Sequence, residues 1–438
     1  MAPHVVPVES RCGNKPSTDL KKFAVTRNGF LPAERPSELL SDPYYEPWEL
    51  VAQHLPQLID EDRIRDEVSK LPVLETHRLL SEAEWRRAYV VLAYIAHAYI
   101  WGGEKPEEIL PPQITLPFLR VSSHLELPPV LTYAAANLWN FSSPGLDFTN
   151  LEDLRTLCSF TGTESESWFL LISVAMEAKG AAIISTMLCA LEAIKSHRDN
   201  CHGVLTAALN DLRDCICDVG VLLDRMYERC DPMTFYHRIR PFLAGSKNMA
   251  AAGLPRGVFY DEGDGRGSWR ELRGGSNGQS SLIQFFDIVL GVDHRGGNNG
   301  NPDGGEDSFH VEVREYMPGP HRRLLVHTTR MGSIREFVAH LTADHNGSLG
   351  EEQQRLRAAY VGATEALTEF RNKHIRIVTR YIVLPSRQPW NGDSRKQNLA
   401  SSSSTGKESQ HLTGTGGTSL MPFLKQVRDE TTVAGLLE

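Results

Sequence analysis

The stretch that decides the fold runs from residue 363 to residue 384 and reads ATEALTEFRNKHIRIVTRYIVL. It closes a longer helical pattern over Glu351–Leu384. Its apolar positions recur every three or four residues, as on one face of an α-helix. That face carries Leu367, Phe370, His374, Ile377, Val378 and Tyr381.

His374 is therefore predicted to point toward the interior, where an imidazole without a partner is costly. From the helix alone, such a histidine is more often hydrogen-bonded than metal-bound. Arg371, one turn earlier, raises the second possibility because it could reach an anionic group on the same face.

Helical patterns dominate the remainder of the chain. They cover Pro47–Leu71, Ser81–Trp101, Tyr133–Asn140, Ser165–His197, Gly203–Glu228 and a segment starting near Ser280. Ser81 and Glu84 form a plausible capping box for the second of these. The proline-rich stretch Leu110–Pro129 is predicted to be an extended connection. Because alternating strand-like runs are scarce, the predicted fold class is all-α (mainly helical).

Composition sets the class of protein. The hydrophobic fraction is 41% and the charged fraction 23%, both ordinary for a globular enzyme. The net charge of −9, without a basic block, argues against a nucleic-acid surface. Seven cysteines without CxxC or CxxCH spacing indicate free thiols rather than a zinc site, a redox site or a thioether-linked cofactor. The N-terminal residues have no apolar targeting region, so we expect a cytoplasmic protein and no membrane partner.

Two segments of biased composition interrupt the helical patterns. Residues 293–307 are rich in Gly and Asn, and residues 386–413 contain SSSST and many polar residues. We predict both to be flexible loops. The second precedes a glycine turn and an amphipathic helix, TGTGGTSLMPFLKQVR, and could therefore act as a lid.

The glycine-rich stretch GGSNGQSS, residues 274–281, opens the helix near Ser280. Gln279 stands where a phosphate-binding loop would have its lysine, so triphosphate chemistry is not expected. Free backbone N–H groups at such a turn could bind a carboxylate. The alternative is an ordinary capped turn.

Several motifs, taken together and in order, resemble the indoleamine 2,3-dioxygenase family. They are SWFLLISVAMEAKGAAI, FYHRIRPFLAG, RGGSNGQSSLIQFFDIVLG, VREYMPGPHRRLL, TEFRNKHIRIVTRYI and TGTGGTSLMPFLKQVR. Shorter agreements reach WELVAQHLPQLI near the N-terminus, so the resemblance spans nearly the whole chain. It implies a two-lobed helical fold, with a small N-terminal α lobe at 1–158 and a large haem-binding catalytic lobe at 159–438.

The resemblance also assigns the haem site. It implies that haem b is bound without covalent attachment and that His374 is the proximal ligand of its iron. Arg371 would bind a haem propionate, and Asp287 would hold that arginine in place. Gly275, Ser276 and Asn277 would border both a propionate and the substrate. Thr415, in the glycine turn, would join the same pocket.

For the substrate, the resemblance implies an indole pocket lined by Tyr133 and Phe169. It places Ser173 near the bound O₂ or the substrate amine. Phe235 would pack on the indole and Arg240 would bind the substrate carboxylate. Without the resemblance, core packing would explain Phe169, and Arg240 would be interpreted as a surface charge.

The implied reaction opens the indole ring of L-tryptophan with O₂ as co-substrate and gives N-formylkynurenine, the first step of the kynurenine pathway of tryptophan catabolism. It requires an electron donor that keeps the iron ferrous, and we expect a monomer with no nucleic-acid partner. An O₂-binding haem protein of the same family with little turnover is the alternative. Arg240 and Phe235 favour the enzyme, because an oxygen carrier needs no carboxylate clamp.

Three pocket positions depart from the pattern of the best-known mammalian members. They are Ala136, Asn137 and Asn277. Either asparagine would make the cavity more polar, which bears on substrate affinity more than on haem binding. A signalling-scaffold role, which some mammalian relatives perform through (I/V/L)-x-Y-x-x-L motifs, is not supported, because no such motif occurs here.

Overall fold

The computed structural model describes residues 16–196, 201–294, 309–343, 349–388, 414–415 and 420–437. It confirms a mainly helical fold. The α-helices of the described residues are, in chain order, α1 (Glu46–Gln53), α2 (Leu55–Asp60), α3 (Ile64–Ser69), α4 (Glu82–Trp101), α5 (Pro112–His124), α6 (Glu164–Lys179), α7 (Ala181–Lys195), α8 (Cys201–Asp224), α9 (Met226–Arg229), α10 (Pro232–Thr234), α11 (Arg240–Leu243), α12 (Ser281–Leu290), α13 (Phe309–Arg314), α14 (Gly319–Thr329), α15 (Ile334–Thr342), α16 (Glu351–Val378) and α17 (Leu420–Ala434).

The predicted start of α4 is confirmed in detail. The Glu84 N–H donates to the Ser81 hydroxyl at 3.3 Å, and the Ser81 N–H donates to the Glu84 carboxylate at 3.0 Å. This capping box satisfies donors that the first helical turn leaves open. Residues 87–98 of this helix, which include Tyr89 and Tyr94, are all buried.

The prediction of an extended connection over Leu110–Pro129 was wrong, because α5 occupies most of that stretch. Pro112 stands at the first helical position, where proline removes no hydrogen bond that the helix needs. Pro117 does interrupt the helical ladder. Burial of Ile114, Phe118 and Val121 at helical spacing outweighs that loss.

Two predicted long helices are divided. The pattern Pro47–Leu71 folds as α1, α2 and α3, and the pattern Ser165–His197 folds as α6 and α7, with Gly180 between them. A Cβ at Gly180 would lie 2.3 Å from Leu282 Cδ2, so glycine lets α12 pack directly on this junction. The stretch Glu164–Lys195 is long and apolar enough to cross a membrane by length and composition, but 67% of its most apolar window is buried within the protein, as in a core helix.

Three π-helical turns border the region described below. They span Ala134–Leu138, Phe235–Ile239 and Thr379–Val383, the last of them continuing α16. Such turns re-aim side chains locally and are frequent at functional sites.

The described residues also form two small sheets that the sequence did not indicate. Strand β1 (Ile109–Leu110) pairs in parallel with β4 (Val258–Gly263), Ile109 opposite Phe259, and β4 pairs antiparallel with β5 (Arg266–Arg270). Strand β2 (Phe141–Ser142) pairs antiparallel with β3 (Arg155–Thr156). The β4–β5 turn requires positive φ at Gly263, Asp264 and Gly265, which glycine and aspartate tolerate.

Helix α16 is the centre of the fold and packs against α8, α12, α15 and α17. It contributes residues to two buried apolar clusters. One joins residues from Leu31 to Tyr381, and the other joins residues from Val25 to Leu367. Each cluster therefore contains residues from both sides of residue 158, and the division into lobes there stays a prediction. The predicted flexible loops 293–307 and 386–413 lie outside the described residues, except for 293–294 and 386–388.

Candidate active site

One cavity of about 250 Å³ brings together every residue that the sequence analysis selected for the site. They come from widely separated parts of the chain: Tyr133, Phe169, Ser173, Phe235, Arg240, Gly275, Ser276, Asn277, Asp287, Arg371, His374 and Thr415. Much of the remaining lining was not predicted and is apolar. It includes Leu223, Met226, Phe370, Ile377, Leu420, Phe423 and Val427, from α8, α9, α16 and α17.

His374 faces this cavity from the last turns of α16. The side chain keeps partial accessibility although protein surrounds it, because its open side borders the cavity. Burial lowers the pKa of His374 to about 4, and the neighbouring charge of Arg371 acts in the same direction. No group among the described residues hydrogen-bonds the imidazole. The ring is therefore neutral at physiological pH, and its nitrogens are available to a ligand.

Arg371 lies one turn before His374 and is held from two sides. Its Nη2 is 2.5 Å from Asp287 Oδ1, and its Nη1 donates to the carbonyl of Val427 at 3.2 Å. Burial by itself would raise the pKa of Asp287, but Arg371 and His294 hold it well below its ordinary value. Asp287 therefore stays ionised and keeps the guanidinium in a fixed place beside the cavity.

His294 and Glu430 extend this network to the C-terminal helix, and the sequence analysis had missed both. His294 Nε2 lies 3.2 Å from Asp287, and its Nδ1 lies 2.7 Å from Glu430 of α17. His294 also stacks on His310, with ring centroids 3.8 Å apart. Only the chain of contacts from Asp287 to His294 and from His294 to Glu430 could have indicated these residues, and such contacts are invisible in a single sequence.

An aromatic pair forms one wall of the cavity. Phe169, on α6, and Phe235, on the π-helical turn before α11, meet edge to face with centroids 4.9 Å apart. Tyr381 also meets Phe235 edge to face, with ring centroids 5.9 Å apart. The rings are held by one another, and they provide a rigid apolar surface of the kind that packs on a flat aromatic ligand.

Arg240 brings a cation into this apolar surrounding. It is the first residue of α11 and only 5% exposed, and its guanidinium carbon lies 5.6 Å from the centroid of Tyr236. Burial lowers the pKa of Arg240, and an arginine keeps its proton even so. The interpretation of Arg240 as a surface charge, made from the residues alone, is therefore wrong. A buried cation that lines a cavity suits an anionic ligand group.

Glu177 is another buried ionisable residue of the cavity lining, and the sequence analysis had not selected it. Its Oε1 accepts hydrogen bonds from Tyr133 at 3.0 Å and from Ser280 at 2.6 Å. Its Oε2 is sealed from water and has no hydrogen-bond partner among the described residues. Burial raises the pKa of Glu177 to about 7, although both hydroxyl donors act in the opposite direction. Ser173 lies on the same helix, one turn earlier.

The glycine-rich turn over residues 274–281 is braced largely by its own side chains. Ser276 accepts from the Gly278 N–H, and Ser280 accepts from the Ile283 N–H at the start of α12. Gln279 donates to the Gly274 carbonyl and accepts from the Tyr133 N–H. Capping hydrogen bonds thus explain the shape of the glycine-rich turn. That the turn binds an anion stays a prediction. Thr415 donates to the carbonyl of Gly275 at 2.8 Å, which ties the C-terminal glycine turn to this one.

Comparison with known proteins finds a family model and several proteins that are similar to this chain. A model of the indoleamine 2,3-dioxygenase family matches residues 19–434. An indoleamine 2,3-dioxygenase of Aspergillus nanangensis is 39% identical over 426 residues, which cover 94% of this chain and 96% of that protein. A 6-hydroxytryptophan 2,3-dioxygenase of Fusarium equiseti is 39% identical over 420 residues, covering 94% and 97%. Indoleamine 2,3-dioxygenase of Saccharomyces cerevisiae is 38% identical over 438 residues, covering 95% and 94%.

Proposed function

Since the chain belongs to the indoleamine 2,3-dioxygenase family, we propose that His374 and Arg371 bind the haem and that Arg240 binds the substrate. The reaction is the dioxygenation of tryptophan to N-formylkynurenine. The observation that carries the proposal is the convergence of these three residues. A neutral imidazole and two buried guanidinium groups, from α11 and α16, line one largely apolar cavity.

Members of this family depend on haem and use O₂ as co-substrate, and the residues present fit a haem. His374 offers nitrogens that no described residue hydrogen-bonds, and neutral imidazole is the form that binds iron. The walls beside it are apolar. When bound, haem supplies the activation of O₂, which amino-acid side chains do not provide.

Arg371 is the residue that we assign to a haem propionate. Its guanidinium stands on the same helix face as His374, one turn away, so an anionic group beside the imidazole would lie within its reach. Asp287 keeps this side chain from moving to other partners. Haem affinity should therefore depend on Asp287 as well as on the two residues of α16.

Arg240 and the aromatic pair would bind the amino acid. A guanidinium binds a carboxylate through two parallel hydrogen bonds, while Phe169 and Phe235 exclude water from the indole. Holding both ends of the substrate fixes the indole 2,3-bond relative to the reacting oxygen. A buried cation of this kind favours an enzyme over an oxygen carrier, since a carrier has no carboxylate to bind.

Three further expectations accompany the proposal. An external electron donor keeps the iron ferrous, the chain acts as a monomer, and it works in the cytoplasm. Six cysteines among the described residues are not joined in disulfides, which is consistent with a reducing compartment. Light scattering on the purified protein tests the monomer directly.

The test of the proposed function is turnover of L-tryptophan by haem-loaded protein, with Arg240→Ala compared to Arg238→Ala. Arg238 is 39% exposed and pairs with Asp60 at 3.2 Å, so it controls for the loss of an arginine two positions away. We expect Arg240→Ala to keep its haem and to raise the Michaelis constant by the equivalent of about 2–4 kcal/mol.

Tryptamine, which lacks the carboxylate, sharpens this test. Wild type should bind tryptamine about as poorly as Arg240→Ala binds L-tryptophan. Arg240→Ala should change the affinity for tryptamine little. A Michaelis constant for L-tryptophan that Arg240→Ala leaves unchanged would exclude the carboxylate role. Haem-loaded wild type that forms no N-formylkynurenine under air and reductant would overturn the proposed function itself.

A further inference from the structure

Asn137 places a fixed hydrogen-bond acceptor in the wall beside the aromatic pair. It lies on the π-helical turn Ala134–Leu138, is 4% exposed and lines the cavity. Its Nδ2 donates to the carbonyl of Leu170 at 2.9 Å. Leu170 follows Phe169 on α6, so this hydrogen bond anchors the amide next to the proposed indole surface.

The hydrogen bond also determines which end of the amide meets a ligand. A carbonyl oxygen can only accept, so the NH₂ end of Asn137 must face Leu170, and Oδ1 takes the other direction. No described residue donates to Oδ1. Oδ1 is not among the sealed polar atoms of the described residues, so its accessible surface belongs to the cavity.

Room for a ligand group lies beside this acceptor. Ala136, which also lines the cavity, presents only a methyl group there. An amide oxygen that a ligand desolvates without supplying a donor weakens binding. A space next to such an oxygen therefore suits a ligand that carries a donor at that point.

We propose that Ala136 and Asn137 form a subsite for a hydrogen-bond donor on the benzene ring of the substrate, so that the chain takes a hydroxytryptophan in preference to unsubstituted tryptophan. This inference rests on the proposed function and names the substrate class of the same cavity. The phenolic O–H of a hydroxyindole donates to Oδ1, and Ala136 leaves space for the added oxygen. One such hydrogen bond is equivalent to about a tenfold change in affinity.

The indole N–H is the rival donor, and it would make Asn137 a general indole-binding residue. The two assignments separate cleanly, because every tryptophan has the indole N–H and only the hydroxylated ones have the phenol. Asn277 is a matched control. It is the other asparagine of the cavity lining, but it is exposed, so solvent already satisfies its amide.

The experiment measures dissociation constants of L-tryptophan, 1-methyl-L-tryptophan and the 4-, 5-, 6- and 7-hydroxy-L-tryptophans for the haem-loaded ferric protein, by absorption titration. Binding is used because a hydroxyl group also changes the reactivity of the ring. The variants are Asn137→Val and Asn277→Ala. Asn137→Ala, which extends the existing alanine run, replaces the valine variant if that one fails to fold.

We expect wild type to bind one hydroxy isomer about tenfold more tightly than L-tryptophan, Asn137→Val to bring that ratio close to one, and Asn277→Ala to preserve it. The proposal is overturned if wild type prefers L-tryptophan to every isomer, or if Asn137→Val leaves the ratio intact. It is also overturned if Asn137→Val weakens L-tryptophan as much as the hydroxy isomer while sparing 1-methyl-L-tryptophan. Protein that shows the binding ratio but forms no product would instead refute the proposed function alone.

Discussion

Glu177 allows a quantitative prediction about pH, because its carboxyl group is buried beside Tyr133 and Ser280 with one oxygen unsatisfied by the described residues. Burial raises its pKa from 4.5 to about 7. The folded state therefore holds the proton more tightly than the unfolded chain. For a raised pKa, the stabilising contribution is complete below about pH 4.5 and is lost as the pH rises through about 7.

The size of the effect follows from the shift. At about 1.36 kcal/mol per pKa unit, a rise from 4.5 to about 7 corresponds to about 3 kcal/mol. Glu177→Gln removes the titration and keeps an oxygen that can accept from Tyr133 and Ser280. Wild type should consequently lose about 3 kcal/mol of stability between pH 5 and pH 8 relative to the variant. With about 2.1 cal/mol/K of unfolding entropy per residue over 438 residues, this corresponds to roughly 3 °C in Tm.

The assay is the difference in Tm between wild type and Glu177→Gln from pH 5 to pH 8. Taking the difference cancels the titration of all other groups. Glu365→Gln, at an exposed position of α16, is the matched control and should show no pH-dependent difference. Infrared spectra should show a protonated-carboxyl band that Glu177→Gln removes. A Tm difference that stays flat across this range, or that grows in the opposite direction, would refute the reasoning about burial.

Two further predictions concern haem retention and packing. Asp287→Asn removes the charge that fixes Arg371 and should weaken haem binding by about 10–100-fold while leaving the fold intact. A haem titration measures the affinity, and circular dichroism checks the fold. Unchanged affinity would mean that Arg371 needs no anchor. Gly180→Val introduces a Cβ that would lie 2.3 Å from Leu282, and the overpacking should lower the free energy of unfolding by about 1–3 kcal/mol, seen as a lower Tm. An unaltered Tm would show that α12 moves aside freely.

Local signals explain which elements could be predicted from the sequence. The start of α4 follows from a capping box within four residues, and α16 follows from uninterrupted periodicity. Helix α5 was missed because its prolines suggest a connection, while the burial that stabilises it depends on the rest of the fold. The β4–β5 hairpin was missed for a related reason, since β5 is mostly exposed and lacks a buried alternation.

The same difference between local and long-range signals applies to the residues of the site. The family resemblance selected residues that the structure does gather around one cavity, yet single-sequence reasoning placed Arg240 on the surface. Glu177 gives no local signal of its place in the site, because its partners Tyr133 and Ser280 are 44 and 103 residues away. His294 and Glu430 meet across 136 residues. Contacts over such separations leave no periodic signal, so they emerge only from the folded chain.

His374 is the residue that we assign to the haem iron, and the cavity offers a control because its lining includes a second histidine, His310. Burial lowers the pKa of His310 to about 3, so it too is neutral and is the rival ligand. The decisive measurement is the absorption spectrum and haem content of His374→Ala and His310→Ala after reconstitution, with and without added imidazole. We expect only His374→Ala to lose stable haem, and added imidazole to restore its histidine-type spectrum. A wild-type spectrum in His374→Ala, or loss of haem in His310→Ala alone, would contradict this assignment.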